Sequence, residues 1–508
     1  MPLKRVRNNL IANFGGQALS VLLAVAFVPI YIRILGIEAY GLIGFFLSLQ
    51  AFFTVLDMGL SATLNRELAR YSHSGVDADQ QRDLLRTLEW LYWPIGVLIA
   101  VGVTAMSQPI AAHWLKPVSL NVAQTSHAIM LMGFATALQW PTALYGGGFR
   151  GLERQVALNG ISAGLAAARS VGAVGILLYV SPTLEAFLWW QVIVAAAQTL
   201  ISRGILWRML PDGKRAPMFQ SALIRELRGF TLGLTGVAAL SFFLVQSDRI
   251  ILSRLLPLNE FGYYTVATTV AAVLSSMIGP FFNALYPRYS GLVSTGQHDE
   301  LVQLYHFSNQ LLAVTVASVA AVLAFFSFDI LKLWTHDLLL ATNSGPIFCL
   351  LVIGTGLHGL LHLPYALQLA YGWTRLALYQ NLVTVAVVVP SIWWLAQLYG
   401  GVGAASVWVA LNLISILIGI PIMHRKLLPD EMTTWYLKDI LPPVLAAGLS
   451  AGVARALLPS LPPGLAGTAL LAIVGMVTLV ATTLSAPAGR STVVLALRML
   501  NSSLAQRK

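Results

Sequence analysis

Charged side chains interrupt two long apolar runs in this sequence, and their types suit the binding of an anion. Arg169 stands near the middle of the run 156–180, and Asp248 and Arg249 are adjacent in the run 229–254. Arginine suits phosphate because its planar guanidinium group donates two parallel hydrogen bonds. Each arginine could instead form a structural ion pair with a carboxylate. The pattern leaves both interpretations open.

Helical periodicity indicates where the charged pair points. Thr235, Gln246, Arg249 and Ser253 fall on one arc at about 100° per residue. Such an arc should face a water-filled space or partner helices, because ionisable groups in lipid are costly. Asp248 lies at the edge of this arc or turns toward a neighbouring helix.

Arg169 is too central in its run for its side chain to reach the membrane surface. It shares a stripe with Asn159 and Ser162, at spacings of i, i+3 and i+10. A buried cation on this stripe predicts an anion ligand. The alternative is an ion pair with Asp57 or Asp248.

Amide and carboxyl side chains also form stripes on the first two apolar runs. Asn13 and Gln17 lie on one side of the first run, and Gln50 and Asp57 lie on one side of the second. These stripes suit sugar hydroxyls, and they suit ordinary polar contacts between helices equally well. Asp57 could also cap a helix or pair with Arg66.

His358 and His362 have the i, i+4 spacing of a metal site. The residues between them are Gly-Leu-Leu, so the glutamate of the H-E-x-x-H motif is missing, and a third ligand is not evident. The sequence therefore predicts no metal site here, and the histidines are interpreted as neutral or proton-sensitive cavity residues.

Motifs of catalysis are missing as well. The chain has no G-x-x-x-x-G-K-[ST] motif for binding a nucleotide phosphate. The predicted outer loops are short and hold few acids, whereas an intramembrane glycan enzyme would usually need paired carboxylates there. We therefore expect no catalytic residue and no cofactor, and we expect that the protein is not an enzyme.

The elements that must position these residues are membrane helices. Of the 508 residues, 57% are hydrophobic and 10% are charged, whereas a soluble protein has about 25% charged residues. Apolar runs long enough to cross a bilayer recur from end to end. We predict an all-α polytopic membrane protein with about 14 transmembrane helices, at 9–33, 39–60, 88–107, 126–148, 156–180, 185–207, 229–254, 261–285, 303–328, 344–369, 376–399, 402–424, 439–458 and 465–484.

The cations divide unevenly between the two sides of the membrane. When the gaps are numbered alternately from inside, the outer set holds only Arg33, Lys116, Arg254, Lys332 and Arg455. This asymmetry predicts that both termini are cytoplasmic. The formal net charge of +11 is explained by this topology, so we expect no nucleic-acid partner.

The chain also repeats itself. Residues 33–41, Arg-Ile-Leu-Gly-Ile-Glu-Ala-Tyr-Gly, align without gaps on residues 254–262, Arg-Leu-Leu-Pro-Leu-Asn-Glu-Phe-Gly. Internal repeats are frequent in secondary transporters, whose substrate site lies between the halves. We predict two six-helix pseudo-repeat lobes around a central cavity, followed by two extra helices. The predicted domains are an N-terminal lobe at 1–208, a cytoplasmic linker at 209–228, a C-terminal lobe at 229–424, and the extra helices with a basic amphipathic tail at 425–508.

Residues 9–72 resemble the opening of the polysaccharide-transporter (Wzx-type) flippases of the multidrug/oligosaccharidyl-lipid/polysaccharide exporter superfamily. The matching features are Pro29, the turn at 33–36, Tyr40-Gly41, Asp57-Met-Gly-Leu-Ser61 and Arg66. In the second half, Asp248-Arg249-Ile-Ile-Leu and Phe261-Gly-Tyr-Tyr264 are similar to the helix 7–8 pattern of that family.

The resemblance implies a flippase that works by alternating access in a bacterial inner membrane. Its substrate would be an oligosaccharide on a polyprenyl pyrophosphate carrier, used for O-antigen, capsule or exopolysaccharide. Its partners would be membrane lipids, a polymerase and other glycan-assembly proteins. The candidate substrate-binding residues are Arg169, Arg249, Arg33, Asn13, Gln17, Gln50 and Gln246. The candidate ion-coupling residues are Asp248, Asp57 and His358.

Three alternatives stay open from the sequence. A multidrug or cation antiporter of the same superfamily should line its cavity with acids, whereas Arg169 is a cation. A flippase for the peptidoglycan lipid precursor also fits, because relatives with that role have fourteen helices. An integral-membrane glycan enzyme and a non-transporting scaffold are the remaining interpretations.

Overall fold

A computed structural model describes residues 22–57, 59–74, 78–223, 242, 245–373 and 375–490. Over these ranges the regular secondary structure is helical throughout. Helices follow from the apolar composition, because a backbone in lipid must satisfy its own hydrogen bonds. The predicted all-α polytopic fold class is confirmed.

The first half of the described chain folds into consecutive helices with short connections. Their bounds are α1 Val28–Leu35, α2 Ile37–Thr54 with the 3-10 turn Val55–Asp57, α3 Leu60–Ser74, α4 Ala78–Pro109 with the π turn Ile110–Trp114, α5 Val122–Gln139, α6 Thr142–Gly151, α7 Gln155–Tyr179, α8 Leu184–Met209 and α9 at 245–255. Helix α5 begins with a capping box between Asn121 and Gln124, and it ends just before Pro141, which cannot continue a helix.

The second half continues in the same way. Its helices are α10 Leu258–Thr295, α11 His298–Phe325, α12 Ser327–Thr335, α13 Leu338–Leu360, α14 His362–Ala370, α15 Arg375–Ile414 with the π turn Ser415–Gly419, α16 Ile420–Leu427, the short turns Met432–Thr434 and Trp435–Ile440, α17 Leu441–Leu457 and α18 Leu465–Ser485. Helix α15 is broken at Gly400, where φ is 56° and ψ is −138°.

Ten helices of the described ranges are long and apolar enough to cross a membrane. The stretch Tyr379–Leu427 counts as one of them, although it covers two predicted spans that meet at the break at Gly400. The predicted span 126–148 is divided between α5 and α6. The predicted spans 9–33 and 229–254 lie partly outside the described residues, so the number 14 stays a prediction.

Residues Met1–Thr265 and Val266–Lys508 form two compact units. The start of α10 therefore belongs to the first unit, as does all of α9. The lobes predicted at 1–208 and 229–424 are a division by sequence repeat, and they stay a prediction.

Within the first unit, α2 crosses the start of α10 at two glycines. A Cβ atom on Gly41 would lie 2.3 Å from the carbonyl oxygen of Leu258. A Cβ atom on Gly262 would lie 2.3 Å from the carbonyl oxygen of Ile37. The two glycines occupy matching positions in the sequence repeat, and so do the two carbonyls. The repeat thus brings equivalent backbones into reciprocal contact, which a side chain at either glycine would prevent.

Candidate functional site

A polar cavity of about 330 Å³ lies in the first unit, between α2 and the α5–α6 corner. The polar stripe predicted on the second apolar run lines one side, with Gln50, Thr54, Asp57 and Ser61. The facing side and the remaining wall are formed by Phe53, Thr136, Gln139, Trp140, Thr142 and Ala143. Amides, hydroxyls and an indole ring are groups that contact sugars, so the cavity has the chemistry predicted for the stripe.

Arg169 reaches the wall of this cavity through an amide. From α7, its Nη1 donates to Oε1 of Gln139 at 3.4 Å, and its Nη2 donates to Oε1 of Gln198 at 3.0 Å. Gln50 Nε2 donates to the same oxygen of Gln139 at 2.9 Å. Among the residues that the structure describes, Arg169 has no carboxylate within 4.0 Å. Its charge is therefore contacted by neutral amides from α5 and α8.

Asp57 is held by neutral donors at one end of the cavity. Its carboxylate accepts from the backbone N–H of Ser61 at 3.3 Å and from the Ser61 hydroxyl at 2.8 Å, and it also accepts from the Tyr92 hydroxyl. Arg66 donates instead to Glu67. Of the roles open for Asp57 from the sequence, the structure thus shows a cap on the start of α3.

The described part of the seventh apolar run is α9. Asp248 turns toward α10, where its Oδ2 accepts from the Tyr264 hydroxyl at 2.5 Å. Neither Asp248 nor Arg249 forms an ion pair with another described residue. Gln246 has a buried Oε1 that accepts no hydrogen bond in this part of the chain. Asp248 is therefore held by a neutral hydroxyl donor of α10.

Of the other candidates, Arg33 and His358 do not line this cavity. Arg33 lies exposed in the last turn of α1. Asn13 and Gln17 lie outside the described residues. His358 belongs to the second unit, where its Nδ1 contacts Oδ1 of Asn412 at 3.0 Å. The structure thus places Gln50 and Asp57 on the wall of one cavity, and Arg169 contacts that wall through Gln139.

His358 and His362 stack edge to face, with ring centroids 4.8 Å apart. His362 Nδ1 contacts the backbone oxygen of His358 at 3.0 Å. Over the described ranges, the structure contains no cluster of three or more His, Cys, Asp or Glu side chains suited to a metal ion. The two histidines are held by ring stacking, by the contact between α14 and α13, and by the contact of His358 with Asn412 of α15.

Sequence reasoning missed the partners of Arg169. Gln139 and Gln198 are amides inside apolar runs, and a search for such amides would have found both. Trp140 was also missed; it stacks on Tyr92 at a centroid distance of 5.4 Å. Gln139 and Gln198 hold the Arg169 guanidinium group, and Gln139 and Trp140 line the neighbouring cavity.

Membrane-length helices and a polar cavity whose wall is contacted by the Arg169 side chain are typical of a polytopic transporter fold. The chain is similar to the lipid II flippase MurJ in an inward closed conformation, with a TM-score of 0.67 and 10% identity over 94% of this chain and 97% of that chain. It is also similar to an inward-facing multidrug resistance transporter of the MATE family, with a TM-score of 0.61 and 12% identity over 81% and 95% of the two chains. At these identities the likeness establishes the fold.

The chain belongs to the polysaccharide biosynthesis protein family, whose profile matches residues 6–293. It is 20% identical to a Shigella flexneri protein named as an O-antigen transporter, over 79% of this chain and 93% of that protein. It is 25% identical to the succinoglycan biosynthesis transport protein of Rhizobium meliloti, over 50% of this chain and 48% of that protein. The family resemblance drawn from the sequence is confirmed, and membrane transport in polysaccharide biosynthesis is the activity of these relatives.

Proposed function

We propose that this protein is a flippase for a polyprenyl-pyrophosphate-linked oligosaccharide in a bacterial inner membrane. It moves the lipid from the inner to the outer leaflet for the synthesis of O-antigen, capsule or exopolysaccharide. Alternating access would expose the cavity to each side in turn, with both chain termini in the cytoplasm. The protein performs no covalent chemistry in this proposal, and a polymerase would use the lipid that it delivers.

One observation carries the proposal: the Arg169 guanidinium contacts two amide oxygens and no carboxylate of the described residues. A guanidinium group has five N–H donors in a planar fork, and two of them are used by Gln139 and Gln198. A buried cation is costly unless it is paired. A pyrophosphate would supply the missing charge, and its sugars would meet the hydroxyls and amides of the cavity wall.

The antiporter alternative is weaker on the same geometry. A pump for cationic drugs needs an acid that is free to bind a cation. The acid at this cavity, Asp57, already accepts hydrogen bonds from Ser61 and Tyr92. Asp57, Asp248 and His358 remain our candidates for ion coupling, and Arg249, Arg33, Asn13, Gln17 and Gln246 remain candidates for further substrate contacts.

The test replaces Arg169 in the native host, in a strain whose chromosomal copy is deleted. We expect Arg169→Ala to lower surface polysaccharide by roughly tenfold or more at normal protein abundance, since a hydrogen bond to a charged group contributes about 1.5–3 kcal/mol. Arg169→Lys should restore part of the activity, because it keeps the charge without the planar fork. Arg208→Ala, which removes an exposed arginine at the end of α8, is the matched control.

Normal polysaccharide from Arg169→Ala at normal abundance would remove Arg169 from the mechanism. The deletion strain also separates the two lipid substrates. Loss of surface polysaccharide with normal growth supports the oligosaccharide carrier, whereas lysis with accumulated peptidoglycan precursor supports the precursor flippase.

A further inference from the structure

An apolar groove runs along the membrane-facing side of the first unit, between α2 and α4. It has a volume of about 520 Å³, and the described residues that line it are all apolar. Its walls include Phe52 and Leu56 from the α2 side and Leu98 and Met106 from α4. At Gly102 the wall carries no side chain, and a Cβ atom built there would meet no atom of the described residues within 4 Å. The groove is therefore an open slot between two membrane helices.

This groove is adjacent to the polar cavity. Phe53 lines both of them. Along the same stretch, Phe52 and Leu56 face the groove whereas Gln50 and Asp57 face the cavity. The α2 segment thus presents an apolar face and a polar face, and the two faces meet at the ring of Phe53. A ligand that occupied both would need a polar head joined directly to an apolar chain.

We propose that the groove holds the first part of the polyprenyl chain while the pyrophosphate and sugars occupy the polar cavity. This inference rests on the function proposed above. In the carrier lipid the pyrophosphate is bonded directly to the chain, so the two subsites must be adjacent, as the shared Phe53 makes them. An unbranched acyl chain of a bilayer phospholipid is the competing occupant.

The groove acts by orientation rather than by affinity. Lipid tails are as apolar as leucine side chains, so moving a chain from the bilayer into the groove gains little hydrophobic free energy. A chain fixed beside the cavity nevertheless holds the headgroup in register with Arg169. Filling the groove should therefore slow transport while leaving the headgroup contacts of the cavity in place.

The first experiment is Gly102→Trp, which places an indole ring in the slot without displacing backbone. Gly175→Trp on α7 is the matched control, because a Cβ atom there also meets nothing within 4 Å. We expect Gly102→Trp to lower surface polysaccharide roughly tenfold at normal abundance, and Gly175→Trp to leave it unchanged. Normal polysaccharide from Gly102→Trp would overturn the groove proposal. If Arg169→Ala abolishes transport in the same strain, the proposed function survives that result.

A second experiment identifies the molecule in the groove without filling it. A benzophenone amino acid replaces Leu98, cells that accumulate the glycan lipid are irradiated, and the protein is analysed by mass spectrometry. An adduct with the mass of a polyprenyl-linked lipid supports the proposal. An adduct of phospholipid alone, from a variant that still transports, overturns it.

Discussion

Two charged sites of the first unit share helix α8 and are built in opposite ways. Toward the C-terminal end of α8, the buried Glu89 carboxylate of α4 accepts from Arg203 Nε at 2.8 Å. It also accepts from the Tyr145 hydroxyl and from Trp207 Nε1, both at 2.9 Å. Five residues before Arg203 on α8, Gln198 gives Arg169 only an amide oxygen.

The two sites differ in whether the buried charge is paired with an opposite charge inside the protein. At the Glu89 site the carboxylate is paired with an arginine of the protein itself. This site therefore needs no ligand once the helices have packed. The Arg169 site keeps a cation beside a polar cavity with neutral partners, and this arrangement is costly unless an anion from outside completes it. We propose that the paired charges are structural and that the amide-held cation binds the substrate. Substitutions can convert either arrangement into the other.

The largest loss of stability is expected when the Glu89 site is changed to resemble the Arg169 site. Glu89→Gln leaves Arg203 with an amide partner, as Arg169 has. Because Arg203 is 38% exposed and can hydrate, we expect a loss of about 2–3 kcal/mol, near the lower end for breaking a buried pair. This loss of stability would be measured as lower protein abundance and a lower melting temperature in detergent.

Glu185→Gln is the control for this change, because Glu185 lies on α8, the helix that carries Arg203, and its side chain is 57% exposed. Equal melting temperatures for Glu89→Gln and Glu185→Gln would show that the paired cluster contributes little to stability.

A smaller effect is expected at the second paired site, where the linker docks on α4. Asp83 is buried and accepts from Arg215, from the backbone N–H of Met218 at 2.8 Å and from Gln220. Asp83→Asn should cost about 1–2 kcal/mol for the weakened hydrogen bonds. It should also release the linker, so that trypsin cleaves at Lys214 and Arg215 several times faster.

Asp212→Asn controls for the charge change, since the Asp212 side chain is fully exposed. The same cleavage rate in both variants would mean that the linker is held by contacts other than those to Asp83.

The sequence predicted which face of a helix is polar better than it predicted which helices pack together. Periodicity placed Gln50 and Asp57 on one stripe, and this stripe lines the cavity. It marked Arg169 as a buried cation, but it could not show that Gln139 is its partner, because spacing along one helix says nothing about which helix lies opposite. The two partners are about 30 residues apart in the chain and meet only through packing.

The docked linker shows the same limit at the membrane surface. Segment 61–87 carries both signs of charge, and the linker 209–228 is basic. The charges available for pairing were therefore visible in the sequence. The pairing of Asp83 with Arg215 required the positions of both segments, which hydropathy does not supply. Likewise, Asp57 was open to several partners until the Tyr92 hydroxyl was placed beside it.

The smallest effect on stability, and the sharpest test of the comparison, is expected when the amide-held cation is given a partner. Gln139→Glu is nearly isosteric and places a carboxylate where Arg169 and Gln50 already donate. We expect stability to change by less than about 1 kcal/mol and surface polysaccharide to fall, because the internal carboxylate would neutralise the cation and repel a pyrophosphate. Gln139→Met, which removes the acceptor without adding charge, should lower transport less. If Gln139→Glu transports normally, Arg169 does not need an anion from outside, and the distinction between the two sites of α8 has no bearing on transport.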